Sequence, residues 1–316
     1  MTIDSASSHY ASPDSASSGV LAHLGVLRFT GADALSFLQG QVSNDTQRLT
    51  ERTPVLAAYS TAQGRVLALI YLLPHSSGVV AIMPREILEP TMERMRKFIL
   101  RAKVRIEDAA DLVVAGQFDA TPEAGPHYVE HDGVGIAPVG HDAGRHWIIG
   151  PPEKIAAPTD AAAARRIEEE WRLADIRAGL PQVYAATSEA FVAQMLNLDL
   201  LDGISFTKGC YTGQEIIART QHLGKIKRRL YRLALPPGTW KIGQALRLAD
   251  GRHGRLTEVI ESRGRTEALA VLSVEAGAGA AAAAASTGGA DAPGELLVDA
   301  AELPLPYALL GSHVRE

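Results

Sequence analysis

The densest group of chemically able residues runs Ser205-Phe-Thr-Lys208-Gly209-Cys210-Tyr211-Thr212-Gly213-Gln214-Glu215, with Arg219 one helical turn further on. Cys210 is the only cysteine. A single thiol cannot close an intramolecular disulfide, an all-thiolate zinc site or a self-contained iron–sulfur cluster. It is either a small structural residue or a reactive group. Gly209 and Gly213 bracket it, which suits a tight turn that brings backbone amides near a ligand and presents the side chain at a surface. Lys208 and Arg219 lower the thiol pKa if they fold toward it, and a helix starting at Glu215 would put Cys210 just ahead of a positive dipole end. A buried cysteine in a glycine turn is the alternative, since reactivity requires exposure.

A second group, Lys225, Lys227, Arg228, Arg229 and Arg232 beside His222, could hold a polyanionic ligand tail, an RNA phosphate or an acidic protein. It could equally be a solvated linker between domains. His127, His131, His141 and His146 lack metal-motif spacing, and no metal site is assigned. Gly133, Gly135 and Gly140 do not have the G-x-G-x-x-G spacing, and neither G-x-S-x-G nor a P-loop occurs.

The elements that position these residues follow from periodicity. Gly25 to Phe29 reads as a strand, and Thr30-Gly-Ala-Asp33 opens a helix with Thr30 as N-cap and the apolar stripe Ala34, Leu35, Leu38 and Val42. Strands Leu56 to Tyr59, Val66 to Leu73 and Val79 to Met83 form a meander around the turns Thr61 to Gly64 and Pro74 to Gly78. A helix over 86–101 follows, with Leu88, Met92, Met95 and Ile99 on one face. After short strands over 104–150, Ile167, Trp171, Ala174 and Ala178 mark a helix over 161–178 that Gly179 and Pro181 end. From about Lys227 the pattern becomes short strands, at 230–235, 245–248, 256–260, 268–274 and 296–298, which suggests a separate small barrel or sandwich. The Ala/Gly stretch 276–294 reads as a mobile loop between two of those strands.

The 316 residues carry 31 basic and 36 acidic side chains, a net charge of −5, which argues against a whole-protein grip on nucleic acid. The Ser/Ala-rich first twenty residues have no Lys or Arg, unlike a secretory or mitochondrial leader, and read as a disordered tail. The longest apolar run, Val66 to Leu73, is far short of the ~20 residues that span a bilayer. A cytoplasmic protein with no membrane contact is expected.

Lys208-Gly-Cys-Tyr-Thr-Gly-Gln-Glu215 resembles the KGCY-x-GQE signature of the YgfZ folate-binding proteins, relatives of the glycine-cleavage T-protein, an aminomethyltransferase. The approach Phe191-Val-Ala-Gln194-Met-Leu-Asn197 is similar too, as are Leu38-Gln-Gly40-Gln41 with Asn44-Asp45 and Gln63-Gly64-Arg65, in the same order. The resemblance covers about residues 25–235. It implies an α+β fold of two interlocked domains, 21–110 with 175–224 and 111–174, followed by a C-terminal β-barrel over 225–316, around a central channel.

It further implies tetrahydrofolate binding and a role in assembling or maintaining iron–sulfur clusters, notably in tRNA-modifying enzymes. Its partners would be iron–sulfur enzymes or assembly proteins, with RNA contact as an added expectation. The motif residues Gly209, Tyr211, Gly213, Gln214 and Glu215 would line the folate channel, and Cys210, helped by Lys208 and Arg219, would act beside the folate. Gln39, Gln41, Asn44 and Gln63 offer donors and acceptors for a pterin edge and Tyr211 a ring face; turn and cap roles are the alternative for each amide. Three positions depart from the T-protein. Gly64-Arg65-Val66-Leu67-Ala68 lacks its acidic pair, Arg177 stands where it has a pterin-gripping glutamate, and Ala193 replaces an expected proline. The missing carboxylate weighs against a folate-dependent one-carbon transferase, the second reading. The third is a non-catalytic module that recruits an RNA-modifying enzyme through the 225–232 stretch.

Overall fold

The computed structural model describes residues 18–118, 127–140, 142–155, 160–223, 226–274 and 295–309. Strand β1 (Ser18–Val20) turns into β2 (Leu24–Thr30), followed by α1 (Ala34–Gln41), β3 (Val55–Ser60), β4 (Val66–His75), β5 (Gly78–Pro84), α2 (Leu88–Arg96) and β6 (Arg105–Asp108). Strands β2 to β6 form an antiparallel sheet in the order β3-β4-β5-β2-β6. Successive side chains on a strand face opposite ways, and on β4 both faces are covered. Leu69, Tyr71 and Leu73 enter one core, whereas Ala68, Ile70 and Leu72 enter another, beneath α1 and α2. Double burial is why this segment reads as an unbroken apolar run rather than an alternating one.

A second sheet, of β1 with β7 (Val113–Phe118), β8 (Val129–His131), β9 (Val134–Val139) and β10 (Asp142–Gly150), has the order β1-β7-β10-β9-β8. Residues 18–20, read from sequence as the end of the tail, are therefore a sheet edge, paired with Ala115 to Gln117 and followed by the fully buried Leu21. The rest of the tail, residues 1–17, and the 276–294 loop lie outside the described residues. Helix α3 (Ala161–Ala178) occupies the span its periodicity predicts, with the Asp160 carboxylate accepting from the amides of Ala162 and Ala163. Its buried set is Ile167, Trp171, Leu173 and Ile176, while Ala174 and Ala178 of the expected stripe are only half-buried, because α3 packs against both β1 and the C-terminal sheet.

After α4 (Gln214–Leu223), strands β11 (Arg228–Leu235), β12 (Ala245–Leu248), β13 (His253–Ser262), β14 (Arg265–Ser273), β15 (Leu296–Val298) and β16 (Ala301–Leu303) make a sheet ordered β15-β12-β13-β14-β11-β16. Its two edge strands are joined only by Asp299 and Ala300. Two extended residues reach less than about 10 Å, so the sheet must curl until its edges nearly meet. The α+β class and the small curled C-terminal sheet agree with the sequence reading.

Ionic ties fasten this sheet to α3. Glu258 on β13 accepts from Arg172 at 2.5 Å and from the Tyr184 hydroxyl, while Glu267 on β14 takes Arg177 at 2.7 Å and Arg232 at 2.6 Å. Burial pushes the Tyr184 phenol well above its usual range. Arg177, the residue that departs from the T-protein pattern, is thus turned toward the C-terminal sheet.

Candidate functional site

Helix α1 has no basic residue in its last turn, and its cap is the extended Val42 rather than a left-handed glycine. Carbonyl groups at such an end need outside donors. Lys208 supplies them from far along the chain: its Nζ donates to the carbonyls of Gln39 at 2.7 Å, Val42 at 2.8 Å and Asn44 at 2.8 Å. The same ammonium lies 4.9 Å from the centroid of the buried Tyr211 ring, and the Thr212 amide donates to the Gly40 carbonyl. The thiol turn is therefore seated on the C-terminal end of α1. Burial pushes the Lys208 ammonium down to about 8, with Asp45 opposing.

Two turns meet behind it. Gly213 (φ +85°) and Gly64 (φ +70°) lie so close that a Cβ on Gly213 would stand 2.7 Å from the Thr61 carbonyl oxygen and 3.2 Å from the Gly64 Cα. Gly213→Ala is expected to cost about 1–3 kcal/mol through left-handed strain and this backbone clash. Gly209→Ala, which meets nothing within 4 Å, should be close to neutral. Urea midpoints of the two variants check the contrast.

Cys210 is exposed at the front of this seat. Helix α4 begins at Gln214, and Glu215 lies in its first turn. Arg219 is exposed on α4, and among the described residues neither it nor Cys210 has a side-chain hydrogen bond or ion pair. Lys208 faces α1 and positions the turn that carries the thiol.

The amides divide. Gln39 donates to the Asp45 carboxylate at 2.9 Å and accepts from the Thr46 amide and hydroxyl at 2.8 and 2.9 Å. Buried Asn44 donates to the carbonyls of Leu56 and Asp202 and accepts from the Asp45 amide. Both side chains are engaged in fixing the chain after α1. Gln41 is different: its Oε1 is buried without a partner, as is Ser60 Oγ nearby in the chain that leads to Gly64. Gln63 is exposed at the tip of the β3–β4 turn and Gln214 is half-buried.

Several supporting residues were given no role from sequence. Ser43 accepts from the Ala58 amide and donates to the Gly203 carbonyl, Gln194 donates to Ile217 O on α4, and Asn197 bonds both polar groups of Leu230 on β11. Their partners are backbone groups remote in sequence, so no local pattern shows what they hold. The 225–232 stretch is largely structural. Arg229 forms a buried bidentate pair with Asp199, Arg232 binds Glu267, and Arg228 reaches His253. Lys227 is exposed, while Lys225 and the His222 side chain lie outside the described residues. Among the described residues no group of three His, Cys, Asp or Glu is placed to hold a metal ion, and no helix is long and apolar enough to cross a membrane.

The fold is that of the aminomethyltransferase class. The glycine cleavage system aminomethyltransferase T of Bartonella henselae superposes with a TM-score of 0.52, over 82% of this chain and 79% of that one, at 13% identity. The chain matches no family model. In sequence it is 31% identical to the tRNA-modifying protein YgfZ of Yersinia pestis, over 95% of this chain and 96% of that one. It is 33% identical to the YgfZ of Colwellia psychrerythraea, over 67% of this chain and 69% of that one. The chain belongs to the YgfZ family.

Proposed function

We propose that this chain is a tetrahydrofolate-binding accessory protein that assists assembly or maintenance of iron–sulfur clusters in tRNA-modifying enzymes of the cytoplasm, with Cys210 as its reacting group. The observation that carries the reading is an exposed thiol on a turn held by three hydrogen bonds from Lys208, beside amide and hydroxyl oxygens that have no partner within the protein. The residues fit a folate. Gln41 Oε1 and Ser60 Oγ are unpartnered, and an added Cβ on Gly40 or Gly209 would meet nothing within 4 Å. Gln41, Gln63 and Gln214 are the amides free to hold its polar edge, while Gln39, Asn44 and Tyr211 shape the seat. Tetrahydrofolate supplies a carrier for a one-carbon unit when bound. A cluster handled by a chain with one cysteine must take further ligands from its partner.

The transferase reading is less supported, because Gly64 to Ala68 bears no carboxylate and Arg177 is held by Glu267. Anaerobic calorimetric titration of tetrahydrofolate and its 5-formyl derivative into the wild type and Cys210→Ser tests the proposal. Binding of equal affinity in both is expected, with the thiol needed for a later step. No binding to the wild type would refute the folate reading.

A further inference from the structure

Among the described residues, a run of exposed cations without side-chain partners lies outside the stretch where sequence concentrates basic residues. Helix α2 ends at Arg96, and the chain then passes through tight turns, with the amides of Lys97, Phe98 and Ile99 bonded to the carbonyls of Arg94, Met95 and Arg96. Residues 94–105 read Arg-Met-Arg-Lys-Phe-Ile-Leu-Arg-Ala-Lys-Val-Arg. Lys97, Arg101 and Lys103 are exposed and, among the described residues, have no side-chain hydrogen bond or ion pair. Arg105 is 79% exposed although paired with Glu107. Between these cations stand Phe98, 45% exposed, and Leu100, 87% exposed.

This segment is fixed to the opposite end of the helix that seats the thiol. The Lys103 amide donates to the Asp33 carboxylate at 2.6 Å, and the Asp33 amide donates to the Lys103 carbonyl at 3.2 Å, just ahead of α1. An eight-residue helix is about 12 Å long. Basic segment and thiol turn are thus held at a fixed, short separation by one element.

We propose that residues 97–105 form a docking surface for single-stranded RNA, with Lys97, Arg101, Lys103 and Arg105 on phosphates and Phe98 stacking on a base. The chemistry favours RNA over other anionic partners. Cations tracking a backbone beside an exposed aromatic ring is the arrangement that grips single strands without sequence readout. Protein interfaces are depleted in lysine, which supplies two of the four cations here. Surface binding to a membrane uses an amphipathic helix with a broad apolar face, whereas this segment is a run of turns bearing two apolar side chains. The proposal is independent of the folate and iron–sulfur reading.

Fluorescence anisotropy of a labelled oligouridylate, titrated with the full chain across a range of salt, tests it. The wild type is expected to bind with strong salt dependence. Lys97→Ala/Arg101→Ala/Lys103→Ala should weaken binding more than tenfold at low salt and reduce the log–log salt slope by about 2, since each phosphate contact on a single strand contributes about 0.7. Phe98→Ala alone should weaken it roughly tenfold. Tetrahydrofolate titration and circular dichroism of the same variants separate a lost surface from a lost fold. Wild-type failure to bind RNA at low salt, or a folded triple variant that binds as well as the wild type, overturns the proposal. So does binding to phosphatidylglycerol vesicles, and not to RNA, that depends on Phe98 and Leu100.

Discussion

Replacing Lys208 by methionine is expected to destabilise the protein by about 3 kcal/mol at pH 7. The substitution keeps the apolar stem against Tyr211 and removes only the ammonium, leaving the carbonyls of Gln39, Val42 and Asn44 without their shared donor. A stranded carbonyl costs about 1–3 kcal/mol when buried, and partial access of water at this half-buried site holds the sum near the lower end. Arginine should not rescue it, because a planar fork cannot converge on three carbonyls as a tetrahedral ammonium does. Cys210→Ser, at an exposed position, should leave stability within about 0.5 kcal/mol of the wild type. Urea midpoints of the wild type and the three variants measure this. An unchanged midpoint for Lys208→Met would remove the lysine from its role as the anchor of the thiol turn.

The same residue gives the effect a pH signature. Its ammonium is held at about 8 by burial, against 10.5 for an ordinary lysine. Below pH 8 both folded and unfolded chains carry the proton, so this group adds no slope. Between about 8 and 10.5 the unfolded chain holds the proton and the folded chain does not, so stability rises with pH across that window and levels off above it. The stability difference between wild type and Lys208→Met should therefore grow from pH 8 to 10.5. A flat or falling difference would mean that the three carbonyls accepting from the ammonium outweigh its desolvation.

Which parts of this molecule are legible in sequence depends on where each residue finds its partner. Helix α3 has a local N-cap, a glycine just past its end and a long periodic face, and its bounds are read correctly. The thiol turn stands out because Lys, Gly, Cys and Gly are informative types at short spacing. What it rests on is hidden: Lys208 reaches carbonyls more than 160 residues earlier, and a carbonyl has no residue type to betray it. Gln39 and Asn44 read as ligand groups for the same reason, since their satisfaction by Asp45, Thr46, Leu56 and Asp202 depends on the folded path.

Local patterns also misled where a tertiary bond intervened. Thr30 reads as the cap of α1, yet the helix starts after Asp33, whose carboxylate is drawn to the Lys103 amide. The helix read over 86–101 stops at Arg96, whose guanidinium binds the Ile106 carbonyl through two nitrogens as the chain turns back toward α1. Strand β16, three residues ahead of Pro304, is too short to announce itself and exists because β11 offers it a paired edge.

The 225–232 stretch shows the same limit most sharply, and Arg229→Met is the second large effect expected. Side chains of Arg229 and Asp199 are 4% and 7% exposed and meet through two hydrogen bonds of 2.6 and 2.8 Å. Arg229 also donates to the Gln194 carbonyl at 3.0 Å. Removing the guanidinium strands a buried carboxylate, which costs about 3–5 kcal/mol, much more than the pair itself contributes. Arg229→Met with Asp199→Leu should recover most of that loss, because no charge is then left unpaired. Lys227→Ala, on an exposed neighbour, should change stability by less than about 0.5 kcal/mol. The pair joins β11 to the segment that leads into the thiol turn, where Asn197 already bonds Leu230. Loss of Arg229 should therefore also weaken tetrahydrofolate binding, and the double apolar variant should restore it. A stable Arg229→Met protein with normal folate binding would instead return this stretch to the anion-binding surfaces, since its cation would then be doing nothing for the joint.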